Sequence, residues 1–220
     1  MDNHVPRHIL PLLVLAQFMG TSLWFAVNAV MPDLQRELGW PTSAVGTLTS
    51  ALQFGFILGT LVFALLAIAD RFAPRRVFLV CALAGAACTV GAWWMVRDFT
   101  ALLGWRFATG FFLAGIYPVG MKIAAQWYTK GLGAALGLLI GALVLGSASA
   151  HALRALSGSL PWPTLMLGVA ALAAAGGLLL FVGTSDPPHA QARVTTLQWR
   201  ALGTVWTDGR VRASVLGYFG

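Results

Sequence analysis

The chain has 220 residues, of which 58% are hydrophobic and only 10% are charged, and its net charge is +7. Soluble domains carry about 25% charged residues, so this composition excludes an ordinary soluble protein. The basic residues are spread singly between apolar runs and form no continuous basic face, which argues against a nucleic-acid-binding protein. We therefore expect an all-α membrane protein that has the lipid bilayer as a partner and no nucleic acid.

Six apolar runs are each long enough to cross a bilayer as a helix, which takes about 20 residues. In chain order these predicted spans 1 to 6 cover residues 8–31, 45–69, 77–96, 100–125, 131–153 and 161–183. The first run is too long for the apolar part of a signal peptide, and no small-residue cleavage site follows it, so we expect it to stay in the mature protein. The sequence thus predicts a six-helix transmembrane bundle over residues 1–184.

The region after span 6 is different in composition. Residues 185–208 are polar and contain Pro187-Pro188, which cannot continue a helix. We interpret them as a cytoplasmic linker. Residues 209–220 are apolar again but too short to cross, and we interpret them as the start of a truncated seventh transmembrane segment.

The orientation follows from the turn between spans 2 and 3, because basic loops remain on the cytoplasmic side. With this turn inside, ten basic residues fall on the cytoplasmic side and three on the external side. The cytoplasmic set is Arg7, Arg71, Arg75, Arg76, Lys122, Lys130, Arg193, Arg200, Arg210 and Arg212, and the external set is Arg36, Arg97 and Arg154. We expect a multi-pass protein of a bacterial inner (plasma) membrane with its N-terminus in the cytoplasm.

The same turn carries a motif. Asp70, Arg71, Arg75 and Arg76 resemble the loop between the second and third helices of the major facilitator superfamily, Gly-x-x-x-Asp-Arg-x-Gly-Arg-Arg, although Leu66 and Ala73 replace its two glycines. The resemblance implies that these four charged residues gate the cytoplasmic side. It also implies the fold, the N-terminal six-helix half of a transporter built from two inverted three-helix repeats.

The distribution of polar residues agrees with such a repeat. Spans 1, 2, 4 and 5 have polar side chains in their interiors, whereas spans 3 and 6 have almost none. Because polar groups are costly in hydrocarbon, we expect spans 3 and 6 to lie outermost against lipid and the other four to face the interior.

Span 1 contains a candidate substrate site. Gln17, Thr21, Trp24 and Asn28 fall within one arc of a continuous α-helix, and Gln53 lies on a similar polar face of span 2. Amide, hydroxyl and indole groups suit the wall of a cavity for a small polar solute. The alternative is that they hydrogen-bond to neighbouring helices, as polar residues in membrane bundles often do.

Span 4 carries a basic residue in its interior, Arg106. Arg106 and Gly110 resemble the Arg-x-x-x-Gly motif of the superfamily's fourth helix, and Tyr117 returns to nearly the same face. Residues 115–122 resemble the branch that includes cyanate and nitrate or nitrite transporters. We expect Arg106 and Tyr117 to contact the substrate, which would be anionic if Arg106 faces it. The alternative is that Arg106 extends to the outer interface.

Span 5 has a different pattern. Gly133, Gly137 and Gly141 recur every four residues, which predicts a face for close helix packing. Gly110 in span 4 is expected to have the same role.

The predicted spans contain no Asp or Glu, and the chain shows no catalytic triad, metal-ligand cluster or phosphate-binding loop. We therefore expect no enzyme, no metal and no cofactor. The preferred function is a secondary active transporter of a small polar solute by alternating access. Because one half cannot enclose a solute, its partner would be a C-terminal six-helix half, a second copy or a complementary chain. The alternative is a non-transporting membrane subunit that serves as a scaffold in a larger complex.

Overall fold

The computed structural model describes residues 5–157, 160–185, 207 and 209–219, and within these ranges it is built of helices without strands. The predicted all-α class is therefore confirmed. The α-helices are Ile9–Thr21, Ala26–Leu38, Ala44–Leu65, Ile68–Arg71, Pro74–Trp94, Phe99–Leu113, Tyr117–Trp127, Leu132–Ser157, Trp162–Gly183 and Gly209–Phe219, with one 3₁₀-helix at Ser22–Phe25.

Six helical segments of the described residues are long and apolar enough to cross a membrane, so the chain is an integral multi-pass membrane protein. Each corresponds to one predicted span, and the numbering is kept. Spans 1 to 6 are Ile9–Leu38, Ala44–Leu65, Pro74–Trp94, Phe99–Trp127, Leu132–Leu156 and Trp162–Gly183.

Span 1 is longer than the sequence predicted. The helix continues through Pro32 as far as Leu38 and ends where Gly39 adopts a left-handed conformation with φ of 69°. Arg36, which we assigned to the external set, therefore lies in the last turns of this helix, together with Asp33 and Glu37. The pattern was misread because the apolar run stops at Met31, whereas the helix goes on with one buried face.

Spans 1 and 4 are both interrupted near their middles. In span 1 the 3₁₀-helix Ser22–Phe25 separates two α-helices. In span 4 a turn at residues 114–116 precedes Pro118, which lacks the N–H that would bond to the carbonyl of Ala114. Discontinuous helices of this kind are a common feature of transporter binding sites.

The packing has the symmetry of an inverted repeat. Span 2 packs along span 4, and span 5 packs along span 1. Span 1 also contacts span 6 as span 4 contacts span 3, and spans 3 and 6 pack on each other. Exchanging spans 1, 2 and 3 for spans 4, 5 and 6 therefore reproduces the contacts, as expected for two inverted three-helix repeats.

Burial within the described chain differs between the spans, and the expectation that spans 3 and 6 lie outermost against lipid stays a prediction. Spans 2 and 5 are the least buried of the six in the described chain, whereas spans 3 and 6 are buried to about the same extent as spans 1 and 4. The hydroxyls of Thr49, Thr60 and Ser147 in spans 2 and 5 need no partner on another helix, because they donate to carbonyls of their own helices.

The C-terminal region is described only in part. Within the proposed linker, residues 186–206 and 208 lie outside the described residues. The last helix, Gly209–Phe219, has 11 residues and is about 16 Å long, too short to cross a bilayer. Its assignment as the start of a seventh span stays a prediction.

Candidate substrate-binding site

Arg106 is the largest fully buried side chain of the described residues, with 1% of its surface exposed. Its Nη2 atom donates to the Trp24 backbone oxygen at 2.8 Å and to Asn28 Oδ1 at 3.2 Å. Its Nη1 atom lies 3.4 Å from the Leu23 backbone oxygen. The guanidinium thus points across the bundle to span 1 and does not extend to the outer interface.

The interruption in span 1 explains why this contact forms. Leu23 and Trp24 belong to the 3₁₀-helix, where the backbone turns more tightly and its hydrogen-bond geometry is poorer than in an α-helix. Their carbonyl oxygens accept from the guanidinium, which has five N–H donors in a fixed fork. Spans 1 and 4 are therefore joined at the break in span 1.

Span 2 completes the same network. Asn28 Nδ2 donates to Thr49 Oγ1 at 2.7 Å, and the Trp24 and Phe56 rings lie 4.9 Å apart between centroids. A hydrogen-bonded chain consequently runs from Arg106 through Asn28 to Thr49. We name Arg106, Trp24, Asn28, Thr49 and Phe56 the central cluster.

The charge of Arg106 is not neutralised in the described chain. All three of its acceptors are neutral oxygens, its Nε atom has no hydrogen-bond partner, and the ion pairs of the described residues are elsewhere. A buried cation without a carboxylate is costly and favours an anion in its surroundings.

The central cluster holds only two of the four polar residues predicted along span 1. Gln17 and Thr21 are fully buried elsewhere: the Gln17 amide lies against Gly120, and the Thr21 hydroxyl donates to the Gln17 backbone oxygen at 2.8 Å. The predicted arc assumed a continuous α-helix. A 3₁₀-helix turns 120° per residue instead of 100°, so the four residues Ser22–Phe25 rotate the second helix of span 1 by roughly 80°.

The remaining substrate candidates lie outside the central cluster. Gln53 is exposed, one helical turn beyond Thr49 on span 2. Tyr117 is half-buried at the start of the second helix of span 4 and is separated from Arg106 by the turn at residues 114–116. Their contact with a substrate stays a prediction.

The glycines divide into two groups. At Gly110 a Cβ atom would overlap the Leu52 backbone oxygen, because spans 2 and 4 approach each other there. At Gly133, Gly137 and Gly141 nothing in the described chain lies within 4 Å of a Cβ position. The expected packing at these three positions is therefore absent between the described helices, and their face is turned outward.

The close contacts of spans 2 and 5 are made by glycines that the sequence analysis missed. Gly55 and Gly59 bring span 2 against the backbone of span 4, and Gly146 brings span 5 against Phe18 of span 1. The four-residue spacing of Gly55 and Gly59 was the signal that could have identified the first pair.

The charged turn has its partners within the chain. Lys122 at the end of span 4 is ion-paired with Asp70, and Arg75 Nη1 donates to the Thr184 backbone oxygen at 2.9 Å. Arg71 and Arg76 are exposed. The turn is thus attached to spans 4 and 6, and a contact with another half stays a prediction.

A further buried charge was not recognised. Asp33 is ion-paired with Arg36 of the same helix and with Arg154 near the end of span 5. Arg154 Nη1 also donates to the Leu160 backbone oxygen at 2.7 Å. This carboxylate joins the ends of spans 1 and 5 that lie opposite the turn between spans 2 and 3.

The repeat, the two discontinuous spans and the buried arginine between them define a multi-pass membrane protein with the architecture of secondary transporters. The sequence model of the Major Facilitator Superfamily matches residues 13–220, so the chain belongs to this superfamily. Membership points to a transporter and not to an enzyme. The cyanate and nitrate or nitrite branch stays a prediction.

One curated relative is described as a gallate transporter from Pseudomonas putida. It is 28% identical over 178 residues, which cover 76% of this chain and 38% of the relative. The chain therefore matches well under half the length of this relative.

Proposed function

We propose that the chain is the N-terminal half of a secondary transporter for a small organic anion, with Arg106 as the residue that attracts its carboxylate. The observation that carries this proposal is the buried guanidinium with neutral acceptors and an unpartnered Nε. The similarity to a gallate transporter agrees with it, since gallate is an aromatic carboxylate.

The chemistry of the central cluster supports an aromatic carboxylate. Arginine binds a carboxylate through two parallel N–H bonds, which are stronger than bonds between neutral groups. Asn28 Oδ1 is the acceptor that a carboxylate would displace most readily. Loss of the Arg106–Asn28 hydrogen bond leaves the bond from Arg106 to the Trp24 backbone oxygen intact. The adjacent Trp24 and Phe56 rings offer an aromatic ring an edge-to-face or stacked partner.

The approach to Arg106 is proposed from the face of spans 1 and 2. Trp24, Asn28 and Thr49 are half-buried, and Gln53 beyond them is exposed. In alternating access, movement of span 1 against span 4 at their interruptions would open this side. A second six-helix half, a second copy or a complementary chain would cover the exposed faces of spans 2 and 5, including Gly133, Gly137 and Gly141.

The scaffold alternative has one observation in its favour. Gln17 and Thr21 are sealed against Gly120 and Gly146 and do not border open space. Such sealed polar groups are typical of a helix contact. The alternative does not account for the uncompensated charge of Arg106.

The test is uptake of labelled gallate and benzoate by cells that produce the chain together with a second six-helix half. Arg106→Gln should abolish uptake and Arg106→Lys should impair it, because lysine keeps the charge but loses the fork. Arg97→Gln is the control, since it removes an exposed charge at the end of span 3.

Normal uptake by Arg106→Gln would refute the role of this arginine. Uptake of neutral solutes with no uptake of anions would refute the proposal that the transported solute is an anion. No uptake of any solute by a correctly inserted protein would favour the scaffold.

A further inference from the structure

A cavity of about 400 Å³ lies at the end of the bundle that carries the turn between spans 2 and 3. Its walls come from spans 2, 3 and 4 and are mostly apolar. They include Phe63, Val77, Val80, Phe111 and Phe112. Because the central cluster contributes none of its residues, the cavity is separate from the proposed substrate site.

Two arginines complete the lining. Arg71 and Arg76 both border the cavity and are exposed. Neither makes a hydrogen bond or an ion pair with another described residue, whereas the neighbouring Asp70 is paired with Lys122. The two guanidinium groups are therefore available to an outside anion.

The surroundings indicate what this anion is attached to. Leu66, Phe72 and Val80 are 50%, 61% and 61% exposed around the cavity, which is the exposure expected for residues in contact with hydrocarbon. The apolar walls thus continue into the lipid-facing surface, while the arginines mark the level of the headgroups. A soluble anion would use the arginines and leave the apolar cavity unfilled.

We propose that this cavity binds one anionic phospholipid, with an acyl chain between spans 2, 3 and 4 and the phosphate on Arg71 and Arg76. Basic pockets between helices on the cytoplasmic side are suited to such headgroups, and arginine binds phosphate through its planar fork. The proposal is independent of the transported solute and of Arg106.

The experiment measures lipid retention by the purified chain in detergent, using native mass spectrometry. The probes are phosphatidylglycerol, phosphatidylcholine of the same acyl composition, and inorganic phosphate added as a competitor. The chain should retain phosphatidylglycerol in preference to phosphatidylcholine, and inorganic phosphate at the same concentration should not displace it.

Two variants test the two parts of the site. The double variant Arg71→Gln/Arg76→Gln should weaken phosphatidylglycerol binding about thirtyfold, from the contribution of roughly fivefold per basic residue at an anionic surface. Val80→Trp should also reduce retention, since the larger ring fills the cavity from an exposed position. The matched control Arg7→Gln/Lys130→Gln removes two exposed charges at the same end and should leave retention unchanged.

Circular dichroism identifies any variant that fails to fold. If the double variant fails to fold, Val80→Trp still tests the site, because it retains all charges. Equal retention of both lipids, an equal loss in the control variant, or displacement by inorganic phosphate would each overturn the proposal. Unchanged retention in Val80→Trp would overturn the placement of the acyl chain.

Discussion

Lys122 is ion-paired with Asp70, and this contact attaches the turn between spans 2 and 3 to the end of span 4. The superfamily motif implies that Asp70 holds the cytoplasmic side closed against a second half. In the described chain its partner is instead local. A contact with a second half and a local ion pair predict different results for a variant in which the two charges are exchanged, Asp70→Lys/Lys122→Asp.

We predict that Asp70→Asn slows uptake by the chain joined to a second half while leaving membrane insertion intact. The pair is partly exposed, and such pairs contribute about 0–1 kcal/mol, so the unfolding free energy should change little. If the local pair is what matters, Asp70→Lys/Lys122→Asp should restore the uptake that Lys122→Asp alone removes. If Asp70 instead acts on the second half, the reversed pair should stay slow.

Uptake kinetics of the parent, Asp70→Asn, Lys122→Asp and Asp70→Lys/Lys122→Asp decide between these outcomes. Unchanged kinetics in Asp70→Asn would mean that the motif has lost its gating role, in agreement with the replacement of its glycines by Leu66 and Ala73.

Gly110 and Gly137 provide a matched pair for helix packing. Gly110→Ala should separate spans 2 and 4, at a cost of about 1–3 kcal/mol for overpacking, because its Cβ would overlap the Leu52 backbone oxygen. Gly137→Ala has open space and should raise stability by up to about 1 kcal/mol through helix propensity. Thermal unfolding of the purified variants measures both.

A second half would change the result expected for Gly137→Ala but not the result expected for Gly110→Ala. If the outward glycine face contacts that half, Gly137→Ala should lower uptake without lowering the stability of the chain. Equal stability of the two variants would contradict the close approach at Gly110.

The six spans were predictable because burial in hydrocarbon requires apolar runs of a given length, and length is visible in sequence. The partners of Arg106 were not predictable. They are backbone oxygens of Leu23 and Trp24 that become available only because span 1 is interrupted, and no proline or glycine marks residues 22–25. A single 3₁₀-helix therefore also separated Gln17 and Thr21 from the cluster that their spacing predicted.

Glycine spacing alone likewise did not identify the helix contacts. Gly55 and Gly133 both begin small-residue patterns, yet only Gly55 contacts another described helix. Spacing shows that a close approach is possible but does not show which helix approaches. That depends on tertiary packing.

The orientation is tested by labelling with a membrane-impermeant maleimide. Arg97→Cys should be labelled in intact cells, whereas Lys130→Cys should be labelled only after permeabilisation, because ten basic residues were assigned inside and three outside. Both positions are exposed, and the native Cys81 and Cys88 are buried, so they contribute little background. The reverse pattern would overturn the proposed topology.

Ala67 has a strained backbone in the turn after span 2. Its φ is 48°, in the left-handed region that costs a non-glycine residue about 1–2 kcal/mol. Ala67→Gly should therefore raise the unfolding free energy by about 1 kcal/mol. The control Ala64→Gly lies within the helix of span 2 and should lower it by a similar amount. A loss of stability in both variants would contradict the strain.

The charge of Arg106 is tested most directly by supplying it with an acid. Asn28 Oδ1 already lies 3.2 Å from Nη2, so Asn28→Asp places a carboxylate beside the guanidinium with almost no change in shape. Hydrogen bonds to charged groups contribute about 1.5–3 kcal/mol, and the variant should be more stable than the parent despite losing the amide bond to Thr49. The internal carboxylate should then compete with an anionic solute, and uptake of gallate should fall sharply. Asn28→Ser is the control, because it removes the same amide without adding a charge, and it should retain part of the uptake. If both variants transport equally well, the solute does not depend on the charge of Arg106, and the organic-anion proposal fails.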